Sequence, residues 1–95
     1  MEKVAFITGA NRGIGFETSK KLAETGVKII LGSRDLNKGK EAVKKLHALG
    51  FEADLIQYDA FDLDAPQKVY DHISEKYNKL DILINNAGVL LTGNL

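Results

Sequence analysis

The sequence predicts an α/β protein in three layers, a parallel sheet of four short strands with helices on both faces. Three observations carry that expectation. Apolar runs recur at a nearly regular interval, at Val4 to Thr8, Val27 to Leu31, Ala53 to Tyr58 and Asp81 to Asn85. Segments of helical periodicity with recognisable ends separate the runs, and a strand, helix, strand alternation implies right-handed crossovers and a parallel sheet. The first run leads directly into a glycine-rich turn, as in doubly wound folds whose strand order here would be 3-2-1-4. That winding puts the first two helices on one face and the third on the other.

The first, second and fourth runs are almost continuously apolar and rich in β-branched residues, which suits strands buried on both faces. The third, Ala53-Asp54-Leu55-Ile56-Gln57-Tyr58, mixes in polar residues and suits an edge. In the first helix Ile14, Thr18 and Leu22 stand four apart on one face, and Gly26 follows as a left-handed cap. The second opens after Asp35, an N-cap residue, turns Val43, Leu46 and Leu49 inward, pairs Glu41 with Lys45 on its wet side and stops at Gly50. Gly39 in its first turn is a weak point. The third begins near Asp62 or Asp64, tolerates Pro66 in its first turn and lines up Val69, Ile73 and Tyr77.

With 95 residues, residues 1–95 form a single small domain. A chain of this size buries only about 60–65% of its unfolded surface, so its core has little to spare. Thirteen basic and thirteen acidic residues cancel. Zero net charge gives no electrostatic reason to expect nucleic acid or an anionic membrane as partner, and it favours self-association. The absence of cysteine excludes disulfides, thiol chemistry and thiolate-bound metals, and the cytoplasm is the default expectation. No apolar run approaches the length of a signal or membrane segment. His47 and His72 lie on separate helices without a third ligand at metal-binding spacing, so no metal site is expected.

The turn after the first strand reads Thr8-Gly9-Ala10-Asn11-Arg12-Gly13-Ile14-Gly15. Gly9 permits the tight turn, Gly13 lets the backbone approach a diphosphate, and Gly15 lets the helix pack close to the sheet. Free N–H groups at the helix start then face the anion. The end of the second strand reads Leu31-Gly32-Ser33-Arg34-Asp35. Ser33 stands where a binder of NAD presents a carboxylate to the ribose, and Arg34 follows it, so a guanidinium is offered where a 2′-phosphate would lie. Arg12 approaches the same phosphate from the glycine loop. Asp35 either caps the second helix or turns to the ribose. At the end of the fourth strand Asn85-Asn86-Ala87-Gly88 supplies two amides and two small residues that keep the coenzyme's path open.

Together, Thr8-Gly9-x-x-x-Gly13-Ile14-Gly15 and Asn85-Asn86-Ala87-Gly88, across three βα units, resemble the short-chain dehydrogenase/reductase superfamily over essentially the whole chain. The resemblance implies the N-terminal Rossmann half-fold and a nicotinamide coenzyme, with NADP(H) preferred over NAD(H), as in the NADP-preferring members similar to carbonyl reductases. It implies coenzyme contacts from the loop residues Gly9, Asn11, Arg12, Gly13, Ile14 and Gly15, and from Ser33 and Arg34. It adds Asp59 for the adenine amino group with the Ala60 backbone beside it, and Asn86, Ala87 and Gly88 for the ribose and nicotinamide side. The family's chemistry needs a Tyr-x-x-x-Lys pair. Four residues after Tyr58, Tyr70 and Tyr77 stand Asp62, Ser74 and Asp81, so no catalytic residue is assigned.

The expectation is therefore a coenzyme-binding half of an oxidoreductase acting on carbonyl or alcohol substrates, truncated before the catalytic half and inactive alone. A free-standing nucleotide-binding module and an assembly module are the alternatives. Without a second half, the outer edge of the fourth strand, Ile82-Leu83-Ile84, and apolar side chains of the first and fourth strands would be bare, so a homo-oligomer through that edge is expected.

Overall fold

The computed structural model describes residues 3–9, 13–59 and 61–85, with the side chain of Asn85 left aside. The elements alternate as β1 (Val4–Thr8), α1 (Gly13–Glu24), β2 (Lys28–Ser33), α2 (Leu36–Ala48), β3 (Ala53–Gln57), α3 (Ala65–Tyr77) and β4 (Ile82–Asn85). The sheet runs in the order β3-β2-β1-β4 with every pairing parallel. Successive side chains of a strand point to opposite faces, and that alternation divides the core in two. Ala5, Ile7, Ile29 and Leu31 pack with Ala23, Ala42 and Leu46 beneath α1 and α2. Val4, Phe6, Ile30 and Ile56 pack with Val69 and Ile73 beneath α3. Each face thus has the helices that the winding requires.

Several local expectations are corrected. Ile14 is 77% exposed, and α1 buries Gly15, Ser19 and Ala23 instead, one position along from the predicted face. These are small residues, and the Ser19 hydroxyl donates back to the Gly15 carbonyl at 2.8 Å. A helix with so little side chain beneath it lies close to the sheet, and Leu22 and Phe16 pack at its flanks. In α2, Ala42 and Leu46 are buried with Val43 beside them, whereas Leu49 is 52% exposed at the C-cap. No Glu41–Lys45 ion pair forms among the described residues; the Lys45 ammonium lies 5.9 Å from the Phe16 ring centre. Gly39 is buried, and a Cβ there would meet Leu55 Cδ1 at 2.6 Å and Ser33 Cβ at 3.1 Å. What reads as a weak point is the place where α2 touches the sheet.

Gly26 and Gly50 end their helices with φ near 93° and 92°, and Asp35 caps α2 by accepting from Asn37 N at 2.9 Å and Lys38 N at 3.1 Å. β1 is buried throughout, because α3 covers the face on which Val4 and Phe6 lie. The expected bare surface on β1 is therefore absent. Exposure on that side concentrates at β4, where Leu83 is 64% exposed while Ile82 and Ile84 pack toward α1. The β4 register is pinned at its start. Val4 N donates to Asp81 Oδ2 at 2.8 Å and Asp81 N to Val4 O at 2.9 Å, which sets Thr8 beside Asn85. The Val4 hydrogen bond, with Lys79 at 3.2 Å, holds the Asp81 carboxyl below its ordinary pKa.

Candidate functional site

The carboxyl ends of the strands bring Gly9, Ser33, Arg34 and Asp59, among the predicted site residues, to one rim. At β1 the chain leaves the sheet through Gly9, whose φ of 63° belongs to the left-handed region and whose N–H donates to Gly32 O at 3.0 Å. Gly13 opens α1 at φ 60°, with open space where a Cβ would stand. A side chain at either position would be strained by the backbone alone, and at Gly13 the cost is conformational rather than steric. Gly15 is buried under the first turn and Ile14 points outward. The turn therefore presents the N-terminus of a 12-residue helix, with its unsatisfied N–H groups, above the end of a central strand.

At β2 the geometry separates the roles of three neighbours. Ser33 is 2% exposed and its hydroxyl donates to the Asp35 carbonyl at 2.8 Å, so it shapes the loop from below. Asp35 commits Oδ1 to the α2 cap, which decides between its two expected roles in favour of capping. Arg34 is exposed, and its guanidinium has no ion pair among the described residues. Its backbone is fixed by a residue the sequence does not flag: Gln57 Nε2 donates to Arg34 O at 3.3 Å. Gln57 is the register partner of Ser33, and Tyr58 N donates to Ser33 O at 3.0 Å, so the end of β3 carries the Arg34 loop. The only sequence signal is the polar residue at the end of an edge strand.

Arg34, Gln57 and Asp59 line one cleft of about 510 Å³, completed by Asp62, Lys68 and the foot of α3. Asp59, which lines the cleft, accepts from Phe61 N through Oδ1 at 2.9 Å in a local turn. Asp62 accepts from Asp64 N at 2.9 Å, the main reason its carboxyl sits below the ordinary value, with Lys68 at 3.5 Å adding to it. Below the cleft, Asp54 Oδ2 gathers Lys76 Nζ at 2.9 Å, Tyr77 OH at 3.1 Å and His72 Nε2 at 3.5 Å. Burial works against this carboxylate, but the hydrogen bonds from Lys76, Leu55 N and Tyr77 prevail and lower its pKa to about 2. The cluster ties the last turns of α3 to β3. Asn11, Arg12, Ala60, Asn86, Ala87 and Gly88 lie outside the described residues. No group of three or more metal-ligating side chains occurs among the described residues, and none of their helices is long and apolar enough to cross a membrane.

A parallel β3-β2-β1-β4 sheet with left-handed glycines at the turn from its first strand into a helix defines a Rossmann-like half-fold, the dinucleotide-binding class. The family model for short chain dehydrogenase matches residues 3–95, and the chain belongs to that family. It is 40% identical over 91 residues to short-chain dehydrogenase/reductase 1 of Saponaria officinalis, covering 93% of this chain and 30% of that protein. The structure of salutaridine reductase from Papaver somniferum is similar with a TM-score of 0.85 at 44% identity, over 92% of this chain and 30% of that one. A metagenomic short-chain oxidoreductase solved in complex with NADP gives a TM-score of 0.85 at 34% identity, over 92% and 39% of the two chains. This chain spans about 30% of the length of the curated relatives it matches.

Proposed function

We propose that residues 1–95 are the coenzyme-binding half of an NADP(H)-dependent short-chain oxidoreductase that interconverts carbonyls and alcohols, and that they do not catalyse the reaction alone. The observation that carries the reading is that Arg34, without an ion pair among the described residues, and Asp59 line one cleft, while left-handed glycines lead from β1 into α1. In this reading Gly9, Gly13, Ile14 and Gly15, with Asn11 and Arg12, hold the diphosphate. Arg34 and Arg12 take the 2′-phosphate, with Ser33 supporting the loop. Asp59 and Ala60 meet the adenine, and Asn86, Ala87 and Gly88 border the ribose and nicotinamide. The coenzyme would supply the hydride; this chain's part is to bind and orient it. The NADP-bound metagenomic relative supports a nicotinamide dinucleotide as ligand.

The preference for NADP(H) rests on charge. A phosphate offered to a guanidinium without an ion pair among the described residues forms charge-assisted bonds, whereas Asp35, next in sequence, turns its Oδ1 to the Asn37 and Lys38 amides at the start of α2. Turnover is a different matter. No tyrosine in the 95 residues has a lysine four positions on. General acid–base catalysis contributes about 10²–10⁴ in rate before substrate positioning is counted. Titration calorimetry with NADPH and NADH, followed by assay of the same protein with aldehydes and ketones, tests both statements. Binding of NADPH over NADH without turnover is expected; equal binding of the two, or turnover that survives repurification, would overturn the corresponding part.

Self-association belongs to the same reading, since the β4 edge is paired with no described strand. A non-catalytic assembly module is the second reading, favoured by that edge, and failure to bind either coenzyme by a folded oligomer would select it. The compartment in this reading is the cytoplasm, which cell fractionation of the tagged chain would check.

A further inference from the structure

The loop that offers Arg34 to the cleft is fixed along its backbone, and one of the fixing side chains comes from another strand. Successive carbonyls of the loop each accept a hydrogen bond. Ser33 O takes the Tyr58 N–H at 3.0 Å, Arg34 O takes the Gln57 side-chain amide at 3.3 Å, and Asp35 O takes the Ser33 hydroxyl at 2.8 Å and the Gly39 N–H at 3.0 Å. The Tyr58 and Gly39 donors are backbone groups, present in any residue but proline. The Ser33 hydroxyl is buried within the loop itself. Gln57 differs from all of these, because it is exposed, ends β3 in register with Ser33, and lines the same cleft of about 510 Å³ as Arg34 and Asp59.

We propose that Gln57 is a positioning residue that sets coenzyme choice through Arg34: its amide holds the Arg34 carbonyl, so that the guanidinium is presented to a 2′-phosphate from a fixed base. This deepens the coenzyme reading above and rests on it. A long side chain gives up rotamer freedom when it binds, and a backbone that must also be ordered adds to the cost. The Gln57 clamp removes the backbone share before the ligand arrives. The gain goes only to a ligand that Arg34 contacts, which in this reading is NADP(H) and not NAD(H).

The residue type suits the task. A neutral amide donates to the carbonyl without pairing with the guanidinium, whereas an ionised carboxylate at the same place has no proton to donate and would attract the arginine. The other cationic side chains on the cleft already face acids, since Lys68 lies 3.5 Å from Asp62 and His72 lies 3.5 Å from Asp54. Arg34 is left as the cleft's cation without an ion pair among the described residues, and Gln57 is the side chain from outside its loop that holds it.

The test is a double-mutant cycle on the 95-residue chain, read by titration calorimetry with NADPH and with NADH. Gln57→Met keeps the length of the side chain and removes the donor. It should weaken NADPH about two- to tenfold, the range of one neutral hydrogen bond, and leave NADH where it is. In the Arg34→Ala background the same substitution should change neither coenzyme. Gln57→Ala should match Gln57→Met, and because residue 57 is exposed at a strand end, neither should shift the urea midpoint appreciably. Equal weakening of both coenzymes would overturn the proposal, as would the same loss in the Arg34→Ala background, which would make Gln57 a direct contact. A loss with Gln57→Ala but none with Gln57→Met would also overturn it, by assigning the effect to the stem. A parent that prefers NADPH through Arg34 yet ignores both Gln57 variants would remove the clamp and leave the coenzyme reading standing, whereas a parent without that preference would remove both.

Discussion

The β3 side and the β4 side of the sheet are made from strands of similar length and the same parallel pairing, yet one is rich in polar contacts and the other, among the described residues, is apolar. On the β3 side Leu55 N is capped by Asp54 and His47 lies at Ala53 O, Asp54 binds the end of α3, and Gln57 reaches across to hold the loop that carries Arg34. On the β4 side three consecutive apolar residues form an edge that no described strand pairs, with a groove beside them. Polar residues on an edge strand do two jobs here. They keep the edge from pairing, and they position the cleft. An apolar edge does neither, and its composition suits a strand that is to be paired.

Substitutions on the two sides should break different properties. The largest expected effect is on coenzyme choice: Arg34→Ala should remove about 1.5–3 kcal/mol of charge-assisted bonding, shrinking the NADPH-to-NADH affinity ratio roughly ten- to a hundredfold in calorimetry. An unchanged ratio would put the 2′-phosphate elsewhere. Gly39→Val should come next, because its added carbons meet Leu55 and Ser33 where α2 touches the sheet. Overpacking of that kind costs about 1–3 kcal/mol, read as a lower midpoint in urea unfolding. Dimerisation through β4 should survive it at concentrations where the protein stays folded.

Asp35→Ala removes the α2 cap and should cost about 1 kcal/mol in the same unfolding experiment. It should leave NADH binding no weaker for want of a ribose carboxylate. The smallest effect is on acid stability. The Asp54 pKa is lowered from 3.8 to about 2, so the folded state favours the carboxylate. Its contribution is complete above the unfolded pKa and is lost as pH falls through about 2. Solvent screening of this half-exposed cluster limits the contribution to about 1 kcal/mol or less. Asp54→Asn should flatten the acid limb of the unfolding midpoint between those pH values, and an unaltered limb would show the cluster to be energetically idle.

Strand positions, their parallel order and the assignment of helices to faces were legible because each rests on a pattern many residues long. Gly26, Gly50 and Asp35 were legible because each meets a local geometric demand that few residue types satisfy. The buried face of α1 was not. Ile14, Thr18 and Leu22 and the small set Gly15, Ser19 and Ala23 are both spaced by four, and apolarity alone favours the first. Close approach to a parallel sheet selects the second. Gly39 was misread for the same reason, since propensity scores a glycine for its own helix while its value lies in the space it leaves for Leu55. Glu41 and Lys45 had the right spacing, but Lys45 lies over Phe16 instead. At the site, Ser33, Arg34 and Asp35 were located by position along the chain, but their division of labour depended on Gln57, a contact across 23 residues that no local pattern announces.

One measurement addresses both halves of the comparison. Amide hydrogen exchange would be followed at high and low protein concentration, with and without NADPH. The account expects NADPH to slow exchange in the Gly9 to Gly15 turn and around Arg34 and Asp59 at either concentration. Dilution should release the outward amide of Leu83 and leave Leu55 unchanged. Protection by NADPH that appears nowhere on the rim, or β4 amides indifferent to dilution while those of β3 respond, would contradict it.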